Sequence, residues 1–397
     1  MNRTRFTITR LALSATFISL AFNLSSCSDD NGGRKAGIEG VVVSQPSDSR
    51  DIKGLFVLNE GQMDKNKCSL DYFDYTAGKF YNNLFAAINP DVTLGLGDTG
   101  NDLKVYEGRL YAVINGSGLI EVMDARTLRH VGSVALAGCR CIAFNGNKAY
   151  VTSYSGEMDE NTKLQKGTLA EMDLDLLKIT RTCGVGYQPE GVVVRNGKIY
   201  VANSCAYEPD YTVHYEKTVS VIDAETMTLE KNIDVAINMN TMQLDKHGNI
   251  YVISRGNYTD VKSDVYVLNT NSDVVDGALN VRAASTCLAG DSLYIVGNEY
   301  SYATGGYESS FAIYDIKKKS IVSEKFITDG TDSRLVSPYG IAVNPENGDI
   351  FITDAGDYVN PGTLFCYNRE GKLLWTSATG DIPGHLAFAT QKVRGLE

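Results

Sequence analysis

Histidine is scarce in this chain: four in 397 residues, at 130, 214, 247 and 385. There is no HExxH, no GxSxG, no Walker-type phosphate loop and no paired CxxC, so the common signatures of zinc hydrolases, serine hydrolases and nucleotide-binding enzymes are missing. Positive charge is also short. Lys and Arg number 37 against 48 Asp and Glu, a net charge of −11, and this argues against nucleic acid, whose phosphates call for a basic footprint. No stretch keeps a helical apolar period, which points to an all-β array. The one long apolar run, Leu11 to Leu24, is too short and interrupted to span a bilayer.

That run has another use. Arg3, Arg5 and Arg10 precede it and "LSSC", Leu24 to Cys27, follows it, the pattern of an export signal ending in a lipobox. Residues 1–26 are therefore expected to be a lipoprotein signal peptide. Residues 27–50 would be a lipidated Cys27 and a flexible Ser/Gly/Asp-rich tether, and residues 51–397 the folded domain. Setting Cys27 aside leaves an odd number of the 8 cysteines, so a complete disulfide framework cannot form within one chain. Small buried thiols are the plain expectation, with a single disulfide left open.

A repeat emerges from the spacing. "LFVLNE", "LYAVIN", "AYVTSY", "IYVANS", "IYVISR", "LYIVGN" and "IFITDA" begin at residues 55, 110, 149, 199, 250, 293 and 350. Six of these copies follow a short apolar strand and a tight turn such as "VVVRNGK", whose Asn-Gly is hairpin chemistry. After each comes a loop, a strand ending in Asp or Asn, and a last polar strand. Four strands repeated seven times predict a seven-bladed β-propeller of antiparallel blades. The first copy lacks a preceding strand, and "GHLAFAT", 384–390, resembles one. The C-terminal strand is thus expected to complete the first blade, a closure that removes open sheet edges.

With strands A to D counted from the centre outward, A–B turns are short and B–C connections are mostly long, so the elaboration lies on one face. Tyr154, Tyr207, Tyr211, Tyr215, Tyr258, Tyr300, Tyr302, Tyr307 and Tyr358 fall on or beside B–C connections, and Tyr187 and Tyr339 in D–A links: 11 of the 23 tyrosines. Clustered tyrosines offer contact area at low entropic cost with a hydroxyl to spare. Of the histidines, only His214 is expected on this face. The candidate ligand-binding residues are Asn59, Glu60, Asn101, Asn115, Tyr154, Tyr187, Gln188, Asn203, Tyr207, Asn240, Arg255, Asn298, Tyr300, Tyr339, Asp354 and Tyr358, with no catalytic or metal-ligating set. A propeller lactonase or lyase using a carboxylate and a metal, and an adhesion propeller, are the alternatives.

"YVANS" with "TVSVIDAETMTLEKNIDV" and "GYQPEGVVV" resembles the YVTN/YncE-like propellers. "FVLNEGQMDKNKCSLDYFDYTAGKFYNN" and "GDTGNDLKVYEGRLYAVIN" resemble the BtuG-type surface lipoproteins of Bacteroidota. The resemblance implies a lipid-anchored protein on the extracellular face of the outer membrane. It would capture cobalamin or a related corrinoid and pass it to a BtuB-type TonB-dependent transporter, with no catalytic cofactor. The acidic run "SDD" after Cys27 resembles the export signal of such lipoproteins.

Overall fold

The computed structural model describes residues 38–47, 51–208, 210–301 and 306–396. Seven four-stranded antiparallel units follow one another around a ring, as the repeat spacing predicts. Blade 2 (Gly100–Tyr106, Arg109–Ile114, Leu119–Asp124, His130–Ala135) and blade 3 (Cys139–Asn145, Lys148–Ser153, Thr168–Asp173, Lys178–Gly184) have four consecutive strands each. Blade 4 comprises Pro189–Arg195, Lys198–Asn203, Thr218–Asp223 and Thr228–Asp234. Blades 5, 6 and 7 begin at Met239, Ser285 and Pro338. Blade 1 is built on Gly54–Asn59, Ser69–Asp74 and Lys79–Tyr81.

The aromatic second residue of each repeat explains the ring. Tyr111 of blade 2 packs with Ile142, Ala149 and Val151 of blade 3. Tyr150 packs with Ile199 and Val201 of blade 4, and Tyr200 with Ile250 and Val252 of blade 5. Phe351 packs with Leu55 and Val57, and Phe56 with Leu110 and Ala112, which carries the pattern across the chain ends. Six of the seven rings are buried and the seventh, Tyr294, is half-buried against blade 7, so the aromatic of each repeat is a wedge between sheets. A buried aromatic removes a large apolar area from water. The outermost strands lack this role; Thr228–Asp234 is almost wholly exposed.

The ring closes through the C-terminus. Pro383–Ala389 pairs with Gly54–Asn59, Leu55 opposite Phe388 and Val57 opposite Leu386, so the last strand is the innermost strand of blade 1. The propeller also starts earlier than residue 51. Val41 and Val42 pair with Phe80 and Lys79, adding a fifth strand outside blade 1, because the three-residue strand Lys79–Tyr81 otherwise leaves its edge groups unpaired. The expected signal peptide, Cys27, the acidic run and Tyr302 lie outside the described residues.

Two B–C connections read as loops are β-structure. On blade 4, Cys205–Tyr207 pairs with Val213–Tyr215 as a separate two-stranded sheet. On blade 6 the middle strands lengthen to Ser292–Ser301 and Gly306–Asp315. The seven described cysteines are all free thiols, six of them buried. Burial pushes the Cys139 thiol up to about 12 and the Cys287 thiol up to about 11, so they are packing groups and not nucleophiles.

Candidate ligand funnel

The inner strands do not run straight into the face that carries the long connections. In six of seven blades the A strand opens with a bulge against its B partner: register shifts at Gly100/Asp102, between Cys139 and Ile142, at Pro189/Val192, at Met239/Met242, at Pro338/Ile341 and between Pro383 and His385. A bulge leaves its extra residue out of the ladder and re-aims its side chain. The bulged positions are Asn101, Arg140, Glu190, Asn240, Tyr339 and Gly384. A positive φ precedes five of them, at Thr99, Gly138, Gln188, Asn238 and Ile382. The second bulge residue must be small where bulges of neighbouring blades touch: a Cβ on Gly340 would lie 2.5 Å from the Gly384 carbonyl oxygen.

These bulges ring a funnel of about 690 Å³. Its wall includes Asn101, Arg140, Asn240, Tyr339 and Gly384 from the bulges, Glu60 and Arg255 from B-strand ends, Asn298 from the long B strand of blade 6, and Tyr258, Tyr300, Tyr307 and Tyr358 from the B–C connections. The aromatic rim is paired edge-to-face: Tyr300 with Tyr307 at 5.5 Å and Tyr339 with Tyr358 at 5.8 Å between ring centroids. Tyr258 and Tyr307 are exposed at 64% and 61%, Tyr300 at 44% and Tyr358 at 38%, so the rings stand open to a ligand. On the Asn298 side chain, Oδ1 is buried and accepts no hydrogen bond from the protein, an unusual state for a buried acceptor.

The floor is charged and has two poles. Arg140 donates from Nε and Nη2 to the two oxygens of Glu190 at 3.1 and 3.0 Å, stacks 4.7 Å over the Tyr154 ring, and Tyr154 donates its hydroxyl to Glu190 at 2.5 Å. Arg255 approaches the same carboxylate only to 3.7 Å. Burial pushes the Glu190 carboxyl up, but Arg140 and Arg255 outweigh it and hold it below the usual range. On the other side of the floor, His385 meets Glu60 at 3.1 Å. Burial and then the Glu60 carboxylate push the Tyr339 phenol well above its usual value.

Of the residues expected to bind ligand, the funnel brings together Glu60, Asn101, Asn240, Arg255, Asn298, Tyr300, Tyr339 and Tyr358. The others serve the scaffold or lie elsewhere on the face. Asn59 donates to Ser69 and Asp71. Asn203 accepts from the Gly186 amide and donates to Thr218 and Ser220. Asp354 accepts from the amides of Val336, Ser337 and Gly356. Asn203 and Asp354 staple D–A links to B-strand ends, where link amides have no ladder partner. Asn115 does the same toward the Cys139 carbonyl. Tyr154 lies under the floor. The Tyr187 hydroxyl shares a hydrogen bond with Thr162, Gln188 accepts from the Cys205 thiol, and Tyr207 rides the blade 4 hairpin, 51% exposed.

The family model for the domain of unknown function DUF5074 matches residues 53–373. The chain belongs to the DUF5074 family. No curated protein matches the sequence. Among solved structures, the fold is similar to a quinonprotein alcohol dehydrogenase-like protein from Bacteroides thetaiotaomicron, at TM-score 0.60 and 17% identity over 85% of this chain and 78% of that one. It is also similar to hydrazine synthase from Kuenenia stuttgartiensis, at TM-score 0.53 and 14% identity over 68% of this chain and 77% of that one. Both likenesses are of fold, and propellers host many functions.

In this DUF5074 propeller the sequence reasoning passed over both Arg140 and Glu190 as site residues. The signal was available: "GND", "CRC", "PEG", "MNT" and "PYG" stand at equivalent A-strand starts, and their middle residues are the bulge positions. His385, expected away from the tyrosine face, is in the funnel wall, because the closing strand starts with the bulge at Gly384. His214 sits on the blade 4 hairpin, paired with Glu208.

Proposed function

We propose that this protein is a surface-exposed lipoprotein that captures cobalamin or a related corrinoid in the funnel and passes it to a BtuB-type TonB-dependent outer-membrane transporter. The observation that carries this reading is the open funnel of about 690 Å³ walled by five tyrosines and by Asn101, Asn240 and Asn298. A corrin is a broad, puckered disc rimmed with amides. Tyrosine faces would cover its apolar edge, and asparagine side chains would exchange hydrogen bonds with the amides. The unengaged Oδ1 of Asn298 would accept one amide N–H. A ring of seven wedged sheets orders little on binding, which favours affinity. The lipobox ending at Cys27 and the resemblance to BtuG-type lipoproteins support the outer-membrane location and the transporter partner.

Glu190 does not suit general acid–base work. Both its oxygens are engaged and its carboxyl is held low, away from the near-neutral pKa such a role favours. The feature that favours a lyase or hydrolase is the His385–Glu60 pair, since a carboxylate that orients a histidine can prepare a base. Calorimetry of the soluble protein lacking residues 1–27 with cyanocobalamin tests the proposal, and saturable one-to-one binding is expected. Failure to bind would remove the corrinoid reading.

A further inference from the structure

The funnel floor holds two guanidinium groups and one carboxylate between them. Both oxygens of Glu190 are engaged: Arg140 donates to each, and Tyr154 donates to one of them. Arg255 stands 3.7 Å from that carboxylate, beyond hydrogen-bond reach, with its side chain one third exposed inside the funnel. Lys262, from the same blade, lines the same cavity. The nearby acids are committed elsewhere: Glu299 to Arg282 and the Ser263 amide, and Glu60 to His385. A guanidinium carries five N–H donors in a fixed fork that matches an oxyanion. Its carboxylate partner, Glu190 at 3.7 Å, is shared with Arg140, so the Arg255 fork is only partly compensated until a ligand supplies an acceptor.

We infer that Arg255, with Lys262 beside it, is an oxyanion subsite, so that the funnel's ligand carries a phosphate or carboxylate which docks on the Arg255 fork. Arg140 and Glu190 are positioning groups: their bidentate pair and the Tyr154 ring hold the floor rigid and keep Glu190 from neutralising Arg255 fully. The inference rests on the reading of the funnel as the ligand site. Under the corrinoid proposal the anion is the phosphodiester of the nucleotide loop, which cobalamin has and cobinamide lacks.

Two measurements test it. In the first, the soluble protein is titrated with inorganic phosphate and, separately, with acetate at constant ionic strength, following arginine Nε–H resonances by NMR. The Arg255 resonance is identified by its loss in R255Q, and the melting temperature of the variant verifies folding. A saturable shift of Arg255 is expected, stronger with phosphate if the docking group is tetrahedral and with acetate if it is planar. No saturable shift with either ion would overturn the inference. In the second, cobalamin and cobinamide affinities are compared. The parent is expected to prefer cobalamin by tenfold or more, and R255Q to lose that preference while R255K keeps part of it. An unchanged preference in R255Q would overturn the docking of the phosphodiester at Arg255. The NMR arm decides the oxyanion subsite without any corrinoid, so failure of both corrinoids to bind would remove the proposed function and leave the subsite to that measurement.

Discussion

Glu190 is almost completely buried and is the counter-charge for Arg140 and, at longer range, Arg255. Removing one member of a buried ion pair leaves the partner uncompensated, typically at a cost of about 3–5 kcal/mol. Glu190→Gln is therefore expected to lower the melting temperature clearly at neutral pH. The pH dependence has a definite sign. The folded-state pKa is depressed, so the stabilisation is present above the unfolded carboxylate value, ~4.3, and is lost as pH falls through the lower folded value. Denaturant titrations from pH 7 to pH 3 are expected to show the parent losing more stability than E190Q over the acid end of that range. Parallel curves would show that Glu190 does not carry this linkage. The rim residues are tested through affinity. Tyr300→Ala and Tyr339→Ala are each expected to weaken cobalamin binding by tenfold or more, about 2 kcal/mol for a truncated aromatic anchor. Tyr339→Phe is expected to cost about 1 kcal/mol, the worth of one hydrogen bond.

At the scale of the element, the hairpin Cys205–Tyr207/Val213–Tyr215 is a two-stranded sheet outside the blade 4 ladder. Lys198–Asn203 and Thr218–Asp223 already pair with each other without it. Replacing residues 206–214 by a two-residue turn is expected to leave the melting temperature within a few degrees of the parent and cobalamin affinity within about threefold, because Tyr207 and Tyr211 stand outside the funnel wall. A loss of affinity comparable with Tyr339→Ala would place the hairpin over the bound ligand. Elements differ in how far the sequence reveals them. The B strands were legible because a wedge aromatic and two buried β-branched or apolar neighbours recur in nearly every copy, as at Ile199, Tyr200 and Val201. The bulges were not, since a bulge is a one-residue difference in register between two strands and the residues it re-aims, Asn101, Arg140, Glu190 and Tyr339, share no chemistry. The same limit explains why the expected asparagines divide between funnel and scaffold. Asn203 and Asn298 hold the same place in the repeat, yet Asn203 is wholly buried and bonded within the protein while Asn298 faces the funnel. What separates them is the neighbour: Asn203 finds Ser220 and Thr218 beside it.

The whole molecule depends on one seam. The wedge between blades 7 and 1, Phe351 against Leu55 and Val57, joins a blade near the C-terminus to strands from the N-terminal end, and Pro383–Ala389 supplies the inner strand that wedge requires. The residues beyond it are also anchored: Tyr81 donates to the Leu396 carbonyl at 3.0 Å, the Arg394 amide donates to Arg126 O at 2.7 Å, and Val393 and Leu396 are buried in the apolar core between blades 1 and 2. Residues 384–396 thus hold both the sheet edge of blade 1 and one side of the core it shares with blade 2. Without them the Gly54–Asn59 strand exposes unpaired amides and carbonyls, a template for pairing with another chain, and the funnel loses His385 and the bulge that seats Glu60. A chain ending at residue 383 is expected to unfold well below the parent's melting temperature and to aggregate, with cobalamin binding abolished. Differential scanning calorimetry with light scattering reads both effects. Adding a synthetic peptide of residues 383–396 in excess is expected to restore part of the melting temperature, since the missing strand would bind the native ring and not the unfolded chain. A truncated protein that melts like the parent would show that blade 1 stands without its inner strand, and the wedge across the seam would then carry closure alone.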